Sequence, residues 1–234
     1  MATKKNTTEE TKVIYIKPMD ERIMTVHIVG DTPLIMSCWT KKALQEMLDA
    51  QTGGKKTKKQ KVAKNIWAEC AQRLYWMDGE PDVEYSDWTQ ELYEQLTQGA
   101  RFGFPATAFK QAAINAGIRG GFVKYKTELV GEFFIVGEGE RQLVQINTDS
   151  TTEIPTIRED NVRLAGIGRV ADLRHRPQFE HWSADLIVKY DANGGIDPES
   201  IINLINLGGH KVGAGEWRAE KSGQYGMFHV ESVK

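Results

Sequence analysis

The order of hydrophobic and polar residues predicts strands in several parts of this chain. Alternating or β-branched residues occupy 13–16, 23–29, 129–136, 143–146, 182–190 and 227–230. The glycines and glutamates at 137–140 predict a hairpin between two of these strands. The apolar segment 162–174 contains Gly166 and Gly168, so we predict a bent or bulged strand there.

Helical spacing of apolar residues predicts three main helices, over 41–50, 105–117 and 198–208. Each begins at a residue typical of a helix start: Thr40 as a cap, Pro105, and Asp197 followed by Pro198. Gly117 and Gly208 are predicted to end the second and third helices. With the segment 51–100 set aside, the order β-α-β-β-α-β is formed by a strand near Ile23, a helix at Pro105, strands near Leu129 and Ser183, a helix at Pro198 and a strand at Met227. This order predicts an α+β fold of the ferredoxin-like type, an antiparallel sheet with two helices on one face.

We predict one domain over 13–234, after a disordered tail at 1–12. The insertion at about 51–100 combines a lysine-rich loop with an aromatic segment that could pack on its own core or on a neighbouring subunit.

The chain has 234 residues, of which 40% are hydrophobic and 26% charged, with a formal net charge of -2. This composition is ordinary for a globular protein and excludes a uniformly basic nucleic-acid coat, so nucleic-acid binding would need local patches.

The cysteines and the hydropathy of the chain indicate the cellular compartment of the protein. Cys38 and Cys70 are the only cysteines, too few for a disulfide framework and without metal-ligand spacing, which is typical of reduced thiols in the cytoplasm. No apolar stretch reaches the length of a membrane span. We therefore predict a soluble cytoplasmic protein with no membrane partner, located in the host cytoplasm if a phage encodes it.

The segment 208–226 carries the strongest functional signal. Six glycines fall within these nineteen residues, together with cationic and aromatic side chains. Glycine permits close approach of the backbone to a ligand and leaves N–H groups that can face an anion. Such a mixture suits a phosphate backbone and an unstacked base. The alternative is a long hairpin loop in which glycines only form turns.

Two further basic clusters extend this signal. One is the lysine block at 55–64, and the other is an arginine-rich strand at 158–176. Arginine offers bidentate phosphate contacts and stacking. Solvated surface charge is an equally good interpretation of the arginine cluster and the favoured one for the lysine block. The candidate nucleic-acid-binding residues are Lys55, Lys56, Lys58, Lys59, Lys61, Arg163, Arg169, Arg174, Arg176, His210, Lys211, Gly213, Gly215, Trp217, Arg218, Lys221 and Tyr225.

An enzymatic reading has weaker support. The nearest candidates for acid–base or metal chemistry are His175, Glu180, His181, Asp185 and His210. His181 and Asp185 are four residues apart, but they fall in a segment read as a strand, where this spacing does not converge on a metal. No nucleophile elbow, phosphate-binding loop or zinc-protease helix is present. We therefore predict a non-catalytic protein without a metal or cofactor.

A ferredoxin-like core with a glycine-rich loop before its last strand resembles the RAMP superfamily, the RNA-binding backbone subunits of CRISPR effector complexes. The segments 29–35, 103–106, 174–177 and 212–218 also resemble an uncharacterised family of bacteriophage proteins. The resemblance implies sequence-tolerant binding of single-stranded RNA or DNA and assembly into a homo-oligomer or filament. It also makes a CRISPR-type or phage recombination complex a candidate partner.

On this reading, Lys211 and Arg218 bind phosphates, Trp217 and Tyr225 stack on bases or shape the loop, and the lysine block provides a second contact. Two alternatives stay open. One is a phage interaction or inhibitor protein that mimics a backbone subunit. The other is a structural assembly component that binds no nucleic acid.

Overall fold

The structure is a computed structural model that describes residues 15, 17–53, 63–149, 153–163 and 171–234. Its helices are α1 (Lys41–Gln51), α2 (Ile66–Ala71), α3 (Gln90–Thr97), α4 (Ala106–Arg119) and α5 (Pro198–Lys211). Its strands are β1 (Glu21–Gly30), β2 (Leu34–Ile35), β3 (Phe102–Pro105), β4 (Phe133–Val136), β5 (Leu143–Ile146), β6 (Thr156–Arg163), β7 (Ala171–Phe179), β8 (Ser183–Asp191) and β9 (Phe228–Val233). The fold is α+β with antiparallel sheets, as the sequence predicts. The predicted tail at 1–12 lies outside the described residues.

A four-stranded antiparallel sheet forms the centre of the molecule, with the strand order β4-β8-β1-β9. Alternate residues of β1, including Val26 and Ile28, are fully buried. They belong to one core with Phe109 of α4 and Ile201 of α5. The two helices pack against each other, so together they cover one face of the sheet and leave the other open.

Helix α5 begins as predicted, with Asp197 accepting a hydrogen bond from the Ser200 amide at 2.9 Å. It does not end at Gly208, however, but continues to Lys211. A Cβ at Gly208 would lie 2.8 Å from the backbone nitrogen of Ala113 in α4. A Cβ at Gly209 would overlap the carbonyl of Phe228 in β9. These glycines therefore act inside the helix, where they allow close packing on two neighbouring elements.

Two smaller sheets complete the fold, one with the order β2-β7-β6 and the other pairing β3 with β5. The predicted hairpin at 137–140 is wrong, because β4 pairs with β8 while β5 pairs with β3. The turn itself forms only an isolated bridge between Glu138 and Leu143. The two strands on either side of this turn therefore belong to different sheets.

The predicted single bent strand at 162–174 is also wrong. Its described residues are divided between β6 and β7, two antiparallel strands in register from Thr156 opposite Gln178 to Arg163 opposite Ala171. We call this pair the β6–β7 hairpin. Residues 164–170 lie outside the described part of the chain.

The aromatic insertion is part of the protein's own core. Trp88 and Tyr93 are buried, and the Tyr93 hydroxyl donates to the Pro155 carbonyl at 3.1 Å. The aromatic segment is therefore largely occupied by contacts within its own chain. Helix α1 is different, since none of its residues is buried and its apolar side chains Leu44, Met47 and Leu48 are between 43% and 53% exposed.

Candidate nucleic-acid interface

The loop between α5 and β9, residues 212–227, is fixed to the body of the protein, and we call it the glycine loop. The Glu216 amide donates to the Ile35 carbonyl at 3.0 Å, and the Gly226 amide donates to the Pro33 carbonyl at 2.8 Å. Gly215 has a φ of +78°, and a Cβ there would lie 2.5 Å from the Ile35 carbonyl oxygen. Only glycine fits this position, and the loop is consequently a defined structure rather than a loose connector.

Most amides of the glycine loop already have partners. Backbone carbonyls accept hydrogen bonds from the amides of Gly213, Ala214, Glu216, Glu220, Lys221, Ser222, Gly223, Tyr225 and Gly226. The sequence suggested that these amides could face an anion, but the conformation of the loop uses them internally. Phosphate contacts at this loop would therefore come from its side chains.

Cationic side chains of the loop differ in their availability. Lys211 and Lys221 are exposed or nearly so, as is His210 in the last turn of α5. Arg218 is half-buried, because its guanidinium hydrogen-bonds the Glu220 carboxylate at 2.9 Å and the Gly215 carbonyl at 3.1 Å. Burial acts to raise the pKa of Glu220, but Arg218 outweighs it and lowers that pKa. Arg218 therefore stabilises the loop through these hydrogen bonds, and part of its side chain stays exposed.

Trp217 has an unusual backbone conformation, with a φ of +52°. Bulky residues rarely adopt positive φ, because the conformation costs about 1–3 kcal/mol and needs support from the surroundings. The support comes from the Tyr225 amide, which donates to the Trp217 carbonyl at 3.1 Å. The indole is left 41% exposed, which makes it available as a stacking surface.

A buried ion cluster lies on one face of the β6–β7 hairpin. The Asp160 carboxylate accepts hydrogen bonds from Arg158 and from Arg176, each at 2.8 Å. Burial acts to raise the pKa of Asp160, but the two arginines outweigh it and lower that pKa. Arg176 is only 3% exposed. It was a candidate for binding nucleic acid, yet its place in the structure is to stabilise the hairpin, and its guanidinium is not accessible to a phosphate.

The structure joins this hairpin to the glycine loop. The guanidinium carbon of Arg158 lies 4.4 Å from the centroid of the Tyr225 ring. Burial acts to lower the pKa of Arg158, but its contacts with Asp160 and Tyr225 outweigh burial and raise that pKa. This contact brings together two segments that the sequence presents as separate basic clusters.

Other cationic residues lie further along the β6–β7 hairpin. Arg174 is half-buried and Arg163 is exposed near the end of β6. Lys64, at the end of the lysine block, contacts Asp172 of β7 at 2.6 Å. Since strands rise about 3.4 Å per residue, Asp172 lies about 14 Å along the hairpin from the position of Arg158. The other candidates of the lysine block, Lys55, Lys56, Lys58, Lys59 and Lys61, lie outside the described residues, and so does Arg169.

Comparison with protein-family models and with curated proteins returned no match. The site therefore has to be interpreted from its own geometry.

The open face of the four-stranded sheet is less suited to phosphates. His27 of β1 contacts Asp185 of β8 at 2.8 Å, and His229 of β9 contacts Asp31 at 2.6 Å. Glu231 is a further carboxylate on this face, 3.5 Å from His27. Carboxylates repel a phosphate backbone, so Asp31, Asp185 and Glu231 make this face unfavourable for a nucleic-acid strand.

The histidine considered for catalysis is part of a packing contact. Both ring nitrogens of His175 face carboxylates, Glu69 of α2 at 2.8 Å and Glu159 of β6 at 3.2 Å. These contacts attach the hairpin to α2. Across the described ranges, no group of three His, Cys, Asp or Glu side chains is placed to hold a metal ion. The helices in these ranges are also too short or too polar to cross a membrane.

Three residues that no sequence motif marks come together only in the folded protein. Tyr75, Gln111 and Glu216 lie together in a cavity beside the glycine loop, although they come from three distant parts of the chain. Nothing in their local sequence marks them as a group.

Proposed function

We propose that the four-stranded sheet with α4 and α5 is a ferredoxin-like core. Its elements follow in the chain as β1, α4, β4, β8, α5 and β9. The strand order β4-β8-β1-β9 places β8 between β1 and β4, and β1 between β8 and β9. Each β-α-β connection therefore skips one strand, which is the arrangement of a split βαβ fold. This order supports the resemblance to the RAMP superfamily.

We propose that the protein is a non-catalytic, phage-type protein that binds single-stranded RNA or DNA with tolerance of sequence and self-associates along it. The observation that carries this proposal is the contact between Arg158 and Tyr225, which joins the arginine-bearing hairpin to the glycine loop. A nucleic-acid strand on this surface would meet cationic side chains and the rings of Trp217 and Tyr225. That combination favours a flexible backbone with unstacked bases over a duplex.

The distribution of charge supports the same surface. Arg163 and Lys221 are exposed. Exposed cationic side chains favour the approach of an anion. With a net charge of -2 over the chain, such local cations are what could attract a polyanion.

Self-association would use surfaces outside this strand-binding region. Helix α1 leaves Leu44, Met47 and Leu48 exposed, and Trp39 beside it is 58% exposed. Contiguous exposed apolar side chains mark interaction sites more often than isolated ones do. Contacts between neighbouring copies through α1 would leave the hairpin and the glycine loop free for the strand.

The experiment that tests the function is a fluorescence anisotropy titration with single-stranded RNA, single-stranded DNA and duplex DNA of mixed sequence, at about 50 and 200 mM salt. Single strands should bind more tightly than the duplex. The double variant Arg163→Ala, Lys221→Ala should lower the salt slope by about one for each phosphate that the protein no longer neutralises. The matched control Arg22→Ala, Lys189→Ala removes the same charges from the central sheet and should bind like the parent.

Light scattering with strands of increasing length tests the self-association. The mass of the complex should grow with the length of the strand. A constant monomeric mass would contradict assembly, and equal or absent binding of single strands and duplex at low salt would contradict the nucleic-acid function.

A further inference from the structure

A polar cavity of about 240 Å³ lies between the glycine loop and helix α4. Its volume equals about eight water molecules at their share of the liquid, which is below the usual range for drug-sized ligands. A single heterocyclic ring system fits this space. A larger molecule would have to leave most of its atoms outside.

One wall of the cavity is aromatic and flat. The Tyr75 ring packs edge-on against Phe104, with centroids 5.6 Å apart. Ala108 and Ala112 of α4 also line the cavity, and their small side chains leave room beside the tyrosine. Flat aromatic surfaces beside small residues favour planar ligands.

Three of the polar side chains that line the cavity remain accessible to a ligand, since Gln111 is exposed and Tyr75 and Glu216 are only partly buried. Within the described part of the chain, the Tyr75 hydroxyl, the Gln111 amide and the Glu216 carboxylate have no hydrogen-bond partner, although all three residues line the cavity. Burial, with smaller contributions from Cys38 and Glu216 and an opposing effect of Arg141, raises the pKa of Tyr75 to about 12. The phenol therefore keeps its proton and can donate. Together these groups supply donors and acceptors beside an aromatic wall.

We propose that this cavity binds one nucleobase bearing adjacent N–H donors, with guanine as the best fit, either within a bound strand or as a free nucleotide. The two oxygens of Glu216 match the paired N–H groups of the guanine edge, and the amide of Gln111 can donate to its carbonyl. The phosphate stays outside, because Glu216 and Glu220 repel it. For a base within a strand, the inference rests on the proposed function, and it adds a preference at one position per protomer.

The test uses thymidine strands that differ only in one central base, titrated by fluorescence anisotropy, and guanosine 5′-monophosphate titrated by calorimetry. The strand with a central guanine should bind about tenfold more tightly than the all-thymidine strand. Glu216→Gln and Tyr75→Phe should each reduce this preference. Glu231→Gln, which neutralises an exposed carboxylate on the open sheet face, is the matched control and should keep it. A thermal melt of each variant shows whether it is folded.

The outcomes separate the cavity from the proposed function. Strand binding with equal affinity for all four central bases, together with no calorimetric binding of guanosine 5′-monophosphate, would overturn the base site and leave the nucleic-acid function standing. Binding of the mononucleotide without any strand binding would support the base site and contradict that function. If Glu216→Gln does not fold, the preference of the parent and its reduction in Tyr75→Phe decide the question.

Discussion

The guanidinium of Arg158 stacks on the ring of Tyr225, and this contact connects the β6–β7 hairpin with the glycine loop. The neighbouring Asp160 keeps the guanidinium in place through a hydrogen bond of 2.8 Å. A cation over an aromatic ring contributes about 0.5–1 kcal/mol at an exposed site and about 2 kcal/mol or more when it is shielded from water. The contact therefore stabilises the relative position of the two segments.

Removing the ring should loosen this connection. We expect Tyr225→Leu to weaken single-strand binding by about two- to fivefold, because the variant has no ring on which Arg158 can stack. Tyr225→Phe keeps the ring face and should bind within about twofold of the parent. Anisotropy at low salt measures both variants. Equal weakening in the two variants would show that the hydroxyl, rather than the stack, is important.

The ion cluster of the hairpin should make stability depend on pH. Asp160 has a lowered pKa, relative to an ordinary value of 3.8, so its charged form stabilises the fold above that value and this contribution disappears as pH falls through the lowered pKa. At pH 7, Asp160→Asn should reduce the free energy of unfolding by about 3 kcal/mol, since it leaves Arg176 buried without its partner.

Thermal melts of Asp160→Asn and the parent between pH 7 and about pH 3 measure this effect. The difference should be constant at neutral pH and shrink below about pH 4, where the parent carboxylate begins to be neutralised. Asp82→Asn changes an exposed carboxylate and should melt like the parent. A difference that persists unchanged in acid would argue against the ion pairs.

Gly215 and Gly99 form a matched pair that separates backbone strain from steric overlap. Both have positive φ, +78° and +73°, but only Gly215 has neighbours that a Cβ would meet. Gly215→Ala should therefore lower the melting temperature more than Gly99→Ala does, and it should also weaken strand binding. Similar melting temperatures for the two variants would show that the glycine loop can move away from Ile35.

The two cysteines should react slowly in the folded protein. Burial, helped by the charge of Glu69, raises the pKa of Cys70 to about 12. Burial also raises the pKa of Cys38, although Arg141 opposes this. Because the thiolate is the reactive form, alkylation at pH 8 should be much slower than in urea. Rapid alkylation of both thiols in the native protein would contradict their buried positions.

The starts of helices were easier to predict from sequence than their ends. Thr40 caps α1 and Asp197 caps α5 through local hydrogen bonds, and both starts are confirmed. The predicted end of α5 at Gly208 was wrong, because Gly208 and Gly209 allow close packing against α4 and β9. A rule based on neighbouring residues in the sequence does not include such tertiary contacts. The predicted pairing of the strands on either side of 137–140 was wrong for a similar reason. The turn at 137–140 has the composition of a hairpin, yet β4 and β5 find partners in other segments.

Local sequence patterns could locate many residues of the candidate site, but they could not predict which of these residues form ion pairs with one another. Alternation of charge along 156–163 could have indicated that Arg158 and Asp160 share one face of a strand. No local signal predicts that Arg176 is buried with them, since that depends on pairing with β7. The cavity beside the glycine loop could not be predicted from the sequence for the same reason. Its groups approach one another only when α4 and the loop pack together.

The central position of β1 has a consequence for how the chain folds. Both of its hydrogen-bonding edges are occupied by strands from the far end of the sequence, as the contacts His27–Asp185 and Asp31–His229 show, with separations of 158 and 198 residues. Closing such long loops is slow, and folding rates fall as contacts become less local. A chain that lacks β8 and β9 would leave both edges of β1 open to other strands. Completion of the main sheet is thus a late event, and an unfinished chain is the form most exposed to aggregation.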